Sequence, residues 1–453
     1  MEPGPHPEQP AQPERPTPSE RPEGRAAPPA GPGGPGRVGR RGFLTGGAAA
    51  GGAAAPAVAG YAVGASRGGE RPDGSPADRP RTWSVVGRHQ PGIVDPQPAA
   101  GLVAAFDVLA KSRFGLADTL EIITNRAERL MTGQPPPRRD ADTPPADSGI
   151  LGPVPEPDGL TVTVAFGASL FDRRYGLDTV RPRRLRAMPA FPNDDLDPDR
   201  CHGDLLVQLC AGHRDTVLHA LRELRSATAQ MVELRWMLEG FQRPNALGPG
   251  RTSVRNLLGF KDGTANPDPR DGALMDRLVW VQPGGGEPAW TAGGTYLVVR
   301  IIKNFVERWD AFPLDDQERV IGRHRESGAP LGHRREQDEP DYRSDPKGLV
   351  IATDAHIRLA NPRTSQTEAQ RILRRGFNYA REGGARDTVD TGLLFISFQQ
   401  DLERGFVSVQ RRLAGEPLEE FVQPVGGGFF FVPPGVAAPG GYLGEGMIAA
   451  AGA

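Results

Sequence analysis

The sequence predicts an α+β protein built from two ferredoxin-like domains, each an antiparallel sheet with helices packed on one face. Three observations predict it. From about residue 81, short apolar runs of strand length alternate with longer stretches of helical periodicity. The order strand-then-helix occurs twice in each half of that region, as a split β-α-β arrangement requires. At 453 residues, the chain is also long enough for two domains of about 100–200 residues and a further leading segment. The rhythm sets the domains at 82–245 and 250–445.

In the first half, GLVAAFDVLA (101–110) reads as a buried strand. A helix follows over 116–131, with Leu120, Ile123, Ala127 and Leu130 on one stripe. TGQPPPRRDADTPPADSG (132–149) is a Pro-rich surface loop. LTVTVAFG (160–167) alternates as a strand, and DLLVQLCAG (204–212) is another, leading into an amphipathic helix over 213–227. TAQMVELRWMLEG closes this half. In the second half, TYLVVRIIKNF (295–305) is a strand followed by helical stretches over 306–310 and 314–321. GLLFISFQQ (392–400) is a strand followed by a helix over 401–413.

The segment ahead of this region has a different character. Residues 1–36 are crowded with Pro, Gly and Glu, and hold too little apolar surface to order themselves. Residues 37–66 place Arg40 and Arg41 before Phe43, Leu44 and a weakly apolar Ala/Gly stretch, the layout of a twin-arginine export signal. Ala57-Val58-Ala59 and Val63-Gly64-Ala65 are both candidate cleavage sites. The stretch falls short of a stable membrane span, which needs about 20 strongly apolar residues. The expected destination is outside the cytoplasm: secreted, periplasmic or at the cell surface. That route carries folded proteins, and so suits an enzyme that must acquire a cofactor first. GPGRVG (34–39) spells a dinucleotide fingerprint but follows no strand, so it carries no weight.

Charge excludes one class of partner. Lys and Arg total 54 against 56 Asp and Glu, so no basic excess draws the chain to nucleic acid. The two cysteines, Cys201 and Cys210, cannot make a tetrahedral zinc site alone, and neither lies in a C-x-x-C-H haem-attachment motif. Flanking the apolar run DLLVQL, they read as buried thiols rather than as a disulfide. There is no H-E-x-x-H and no G-x-S-x-G, which removes the common zinc and serine hydrolases.

Two stretches concentrate chemistry. GFKDGTANP (259–267) brackets one carboxylate, Asp262, with glycines that let the backbone turn tightly and approach a ligand. HIRLANPRTSQTEAQRILRRG (356–376) holds a lone histidine behind an apolar run read as a strand, an Asn-Pro-Arg turn, and a capping box from Ser365 to Glu368. A short helix is expected to follow that box and to stop at Arg374-Arg375-Gly376. Taken singly, Asp262 is also an ordinary turn residue, and His356 also an ordinary core histidine. The terminal arginines also suit a helix C-terminus.

Together the two stretches resemble the dye-decolourising peroxidases, whose signature loop is Gly-x-x-Asp-Gly. The resemblance runs from about Trp83 to Tyr442, and the export signal matches the exported subgroup called deferrochelatase/peroxidase. It implies a dimeric α+β barrel type of fold and one non-covalent haem b per chain. His356 matches the proximal iron ligand. Asp262 and Arg374 match the distal acid–base group and the distal charge stabiliser. Gly263, Thr264, Ala265, Asn361, Pro362 and Arg363 match positions that line the haem, with Arg363 suited to a propionate. Phe395 and Phe398, read as sharing a strand face, either pack on the macrocycle or fill the core. Asp401 resembles the acidic partner of the proximal histidine, or simply caps its helix. His89 falls in a segment similar to the family's but receives no role.

The implied reaction reduces hydrogen peroxide through an oxoferryl state and oxidises dyes, phenols or other small reductants. A second implied function is release of iron from haem within an iron-uptake system. A third, a related α+β barrel enzyme acting on chlorite or haem propionates, is disfavoured by the Asp262/Arg374 pair. Homo-oligomerisation is left open. A carboxylate of ordinary pKa, about 3.9, stays ionised where a histidine base of about 6.5 would protonate. Dye oxidation is therefore expected to be fastest in acid; a rate climbing steadily from about pH 5 to about pH 8 would contradict an aspartate base.

Overall fold

The computed structural model describes residues 81–137, 139–243, 253–383 and 389–452. The expected leader, the export signal and the boundary between the two expected domains lie outside the described residues. The first half runs β1 (Ala100–Val108), α1 (Arg113–Thr132), β2 (Thr161–Gly167), β3 (Leu205–Ala211), α2 (Arg214–Ala227) and β4 (Val232–Phe241). Its strands lie in the order β2-β3-β1-β4, all antiparallel. Ser112 Oγ accepts the Gly115 N–H to start α1, and Gly133 ends it in the left-handed conformation.

The second half contains α3 (Gly272–Leu278), β5 (Thr295–Asn304), α4 (Val306–Asp310), α5 (Leu314–Ile321) and α6 (His356–Ala360). It continues with β6 (Leu373–Arg374), β7 (Phe377–Glu382), β8 (Val389–Gln399), α7 (Ser408–Leu413), β9 (Val422–Val432) and α8 (Glu445–Ala450). Here the order is β9-β5-β8-β7, with the two-residue β6 added on β8. In each half the first strand is central, flanked by the last and the third, which is the ferredoxin-like pattern.

The two half-sheets join edge to edge. Phe166 and Gly167 of β2 pair with Phe431 and Phe430 of β9, and Phe241 of β4 pairs with Asn378 of β7. The β5–β8 pairing completes the circuit, so the strands form a closed barrel. Alternation then divides the side chains. Val103, Ala105, Leu206, Trp236, Leu297, Val299, Ile396 and Phe398 belong to one buried cluster drawn from both halves. Residues of opposite parity, such as Leu102, Ala104 and Phe106, pack instead with Leu116, Leu120 and Ala127 of α1. Each Val, Leu, Ile or Phe among them, fully buried, stabilises by roughly 1.5–3 kcal/mol.

The structure corrects three local expectations. The helix expected after the Ser365–Glu368 capping box is one 3₁₀ turn, Glu368–Gln370. Thr364 and Thr367 bond each other there, Glu368 turns to Arg371, and Leu373–Arg374 is drawn into strand pairing with Phe398 and Ser397. The helix expected from 401 opens with a π-helical turn, Glu403–Val407, before α7. The apolar run ahead of His356 is no strand, and its Leu349 and Val350 are exposed. Cys201 and Cys210 are both buried and free. Among the described residues, no helix is long and apolar enough to cross a membrane.

Close approach at the β4–β7 seam needs a glycine. A Cβ on Gly101 would lie 2.6 Å from ring atoms of Phe377, whose ring crosses the seam. Gly101→Ala should therefore destabilise the fold by about 1–3 kcal/mol through overpacking. The denaturant midpoint reads this, and an unchanged midpoint would show that the seam is loose.

Candidate active site

The outer face of the second half-sheet floors a cavity of about 280 Å³. Register puts Arg300, Ile302 and Asn304 of β5 beside Phe395 and Leu393 of β8 and Pro424 and Val422 of β9, and all seven line it. Further walls come from His356, Ile357 and Ala360 of α6, from Val409, Gln410 and Leu413 on α7, and from the 260–265 loop. Arg300 is fully buried; its charge is balanced by Asp194, while its Nε and Nη1 have no partner.

His356 is the first residue of α6 and, among the described residues, the only histidine lining the cavity. Its Nδ1 lies 2.8 and 3.1 Å from the two carboxylate oxygens of Glu416, which is buried. Burial opposes charging of the imidazole. The Glu416 carboxylate outweighs it by charge and hydrogen bond, so the His356 pKa is raised above its ordinary value. The acidic partner is thus Glu416, not the expected Asp401. Asp401 pairs with Arg184 at 2.7 Å and accepts the backbone N–H groups of Glu403 and Arg404, the capping role. It does not line the cavity. Nothing in AGEPLEE marks Glu416 in sequence; only folding carries it to His356.

Asp262 and Arg374 also line the cavity and form an ion pair, with Nη1 to Oδ1 at 2.5 Å. The loop that carries Asp262 turns at Gly263, whose φ of +103° is accessible to glycine. It is anchored on both sides of the carboxylate. Lys261 Nζ and Thr264 Oγ1 reach the Glu336 carboxylate at 2.6 and 3.0 Å, joined there by Ser253 Oγ at 2.5 Å. Asn266 Nδ2 donates to the Arg374 carbonyl and its Oδ1 accepts the Arg374 N–H, both at 2.9 Å. Nothing in the Arg-rich loop around Glu336 marks that residue in sequence.

The remaining expected residues divide. Gly263, Thr264, Ala265, Asn361, Arg363 and Phe395 line the cavity; Pro362 does not. Phe398 does not either: three residues from Phe395 on one strand, it points to the opposite face and is fully buried in the inter-strand core. Arg363, in the left-handed conformation, pairs with the exposed Glu339 at 3.1 Å. Arg371 and Tyr342 are lining residues that sequence reasoning missed.

Comparison with known proteins decides the family. A model of the N-terminal region of Dyp-type peroxidases matches residues 90–242, and one of their C-terminal region matches 253–437. The chain belongs to the Dyp-type peroxidase family. It is a haem-dependent peroxidase. Proteins named deferrochelatase from Yersinia pestis and Escherichia coli (strain K12) are each 48% identical, over 83% of this chain and 87% and 89% of theirs. A Dyp-type peroxidase from Cellulomonas bogoriensis superposes with a TM-score of 0.73 at 37% identity, covering 82% of this chain and 98% of that one. Ferric DtpA from Streptomyces lividans gives the same score and identity, covering 82% and 97%.

The cavity of this peroxidase fits haem. The Nε2 of His356 makes no hydrogen bond among the described residues and is left to bind a metal. Buried Arg371 Nε has no partner, as suits a donor meant for a carboxylate of the cofactor. Ile302, Leu393 and Phe395 supply apolar floor for a macrocycle.

The Glu416 pair also has a sign. A raised folded pKa gives the haem-free protein stability that is whole below about pH 6.5 and lost as pH rises through the higher folded value. Glu416→Gln should flatten that component. Denaturation of apoprotein across neutral to mildly alkaline pH measures it, and equal slopes in parent and variant would remove Glu416 as the cause.

Proposed function

We propose that His356 holds the haem iron through Nε2, while Asp262 and Arg374 serve hydrogen peroxide in the same cavity. Bound haem would supply the redox chemistry, taking two electrons' worth of oxidation from the peroxide and passing it on to reductants. Glu416 would accept the Nδ1 proton of His356, fixing its tautomer and making the ligand more electron-rich. Asp262, as the carboxylate, would take a proton from the nearer peroxide oxygen and return it to the departing one, which leaves as water. Arg374 would place its positive charge where negative charge gathers on that oxygen. Arg363 and Arg371 would bind the carboxylates of the cofactor. The single observation that carries the reading is the 2.5 Å Asp262–Arg374 pair in the cavity that His356 also lines.

Electron donors are small reductants such as dyes and phenols. Release of iron from haem, as part of an iron-uptake system, is a second reading, favoured by the name deferrochelatase that the 48% identical relatives carry. Appearance of iron-free porphyrin from bound haem would separate it from peroxidase turnover. Export by the twin-arginine route is supported by Arg40, Arg41 and the weakly apolar stretch after them. Division into two domains, 82–245 and 250–445, is supported by the repeat of strand and helix in the two halves.

Removing the three groups should give two kinds of outcome. His356→Ala should lose haem or its normal ligation, seen in the visible spectrum. Asp262→Asn should retain haem and slow its reaction with peroxide by about 10²–10⁴-fold. Arg374→Leu should slow it by about 10²–10³-fold. Stopped-flow mixing with peroxide measures both rates, and parental speed in Arg374→Leu would refute its role.

A further inference from the structure

Asn266 belongs to the glycine-bracketed loop, where an Asn before a proline reads as a turn residue. The fold gives its side chain other work. Leu373–Arg374 is an edge strand: Arg375 N–H bonds the Ile396 carbonyl of β8, so by alternation the N–H and C=O of Arg374 point away from β8. No strand lies on that side of Arg374 among the described residues. The carboxamide of Asn266 fills the place, accepting the Arg374 N–H and donating to its carbonyl, both at 2.9 Å. Asn266 therefore copies the paired edge of a neighbouring strand. Its own backbone N–H bonds Gly263 O, so the amide is built into the same turn that carries Asp262.

We propose that Asn266 is a positioning residue that fixes the register of Asp262 against Arg374. The inference rests on the roles given above to those two side chains. An ion pair alone leaves two flexible partners free to drift, and Arg374 is the longer one. Two hydrogen bonds to its backbone remove that freedom at the Cα. A displacement of about 1 Å at a reacting group can cost about 10²-fold in rate.

The test uses Asn266→Ala and the near-isosteric Asn266→Asp, which keeps the acceptor and loses the donor. Hydrogen exchange of the Arg374 amide, read by mass spectrometry or NMR, reports the clasp without any turnover. Exchange should speed at least about 10-fold in Asn266→Ala while the melting temperature holds. The reaction of the haem-loaded protein with peroxide should slow by about 10–10²-fold in both variants. Added to Asp262→Asn, Asn266→Ala should cost less than about 3-fold more, because residues acting as a unit are not additive. Unchanged exchange at Arg374, or a loss that multiplies fully onto Asp262→Asn, overturns the proposal. If Asp262→Asn alone reacts at parental speed, the functional reading has failed instead, and the exchange result still decides whether the clasp exists.

Discussion

The constraint on which the rest depends is closure of two half-sheets into one barrel. A half-sheet of four strands leaves two edges, each with unpaired N–H and C=O groups. Here β2 meets β9 at Phe166 and Gly167, and β4 meets β7 at Phe241, so each half caps the edges of the other where they touch. Closure also assigns faces. Every second side chain is committed to the inter-strand core, and the outer face of β5, β8 and β9 is left to floor a cavity. Phe395 and Phe398 show the division within one strand, the first at the cavity and the second in the core.

The cavity concentrates charge that an apolar floor would not tolerate singly. Isolated buried charges cost several kcal/mol, and four of them here are answered by an opposite charge. Glu416 meets His356, Asp262 meets Arg374, Glu336 meets Lys261, and Asp194 meets Arg300. The exceptions carry meaning. Arg371 Nε and the Nε and Nη1 of Arg300 are buried and without a partner, and His356 Nε2 makes no hydrogen bond among the described residues, so the cavity keeps polar atoms open to a ligand. A haem macrocycle with carboxylate arms has the matching chemistry.

The groups proposed to serve peroxide, Asp262 and Arg374, hang on a loop and an edge strand, both weak places for precise geometry. The chain compensates locally. Glu336 ties down the residues flanking Asp262, and the Asn266 carboxamide completes the edge at Arg374. Neither tie involves a residue with obvious chemistry of its own. They are the ordinary means by which a flexible glycine turn is made rigid enough for a reaction.

Much of this was legible beforehand. The runs 101–110, 160–167, 204–212 and 295–305 fold as strands within a few residues of their predicted ends, because strand length and apolar content are local properties. His356, Asp262 and Arg374 could be singled out because their motifs resemble a family, and glycines near Asp262 announce a special turn. The sequence misled where local preference competed with pairing. The capping box at Ser365 yields to strand addition at Leu373–Arg374, and Asp401 keeps its cap while Glu416 takes the histidine. By itself, then, the chain's pattern determined the fold class and the strands just named. The family resemblance of two motifs supplied the residue types of the site, while β7 (Phe377–Glu382) and β9 (Val422–Val432) carried no strand signal that was read. Which carboxylate meets His356, which phenylalanine faces the cavity, and what holds Arg374 in register were decided only by tertiary structure. Those contacts join residues far apart in the chain, and no local periodicity encodes a distance that barrel closure alone brings about.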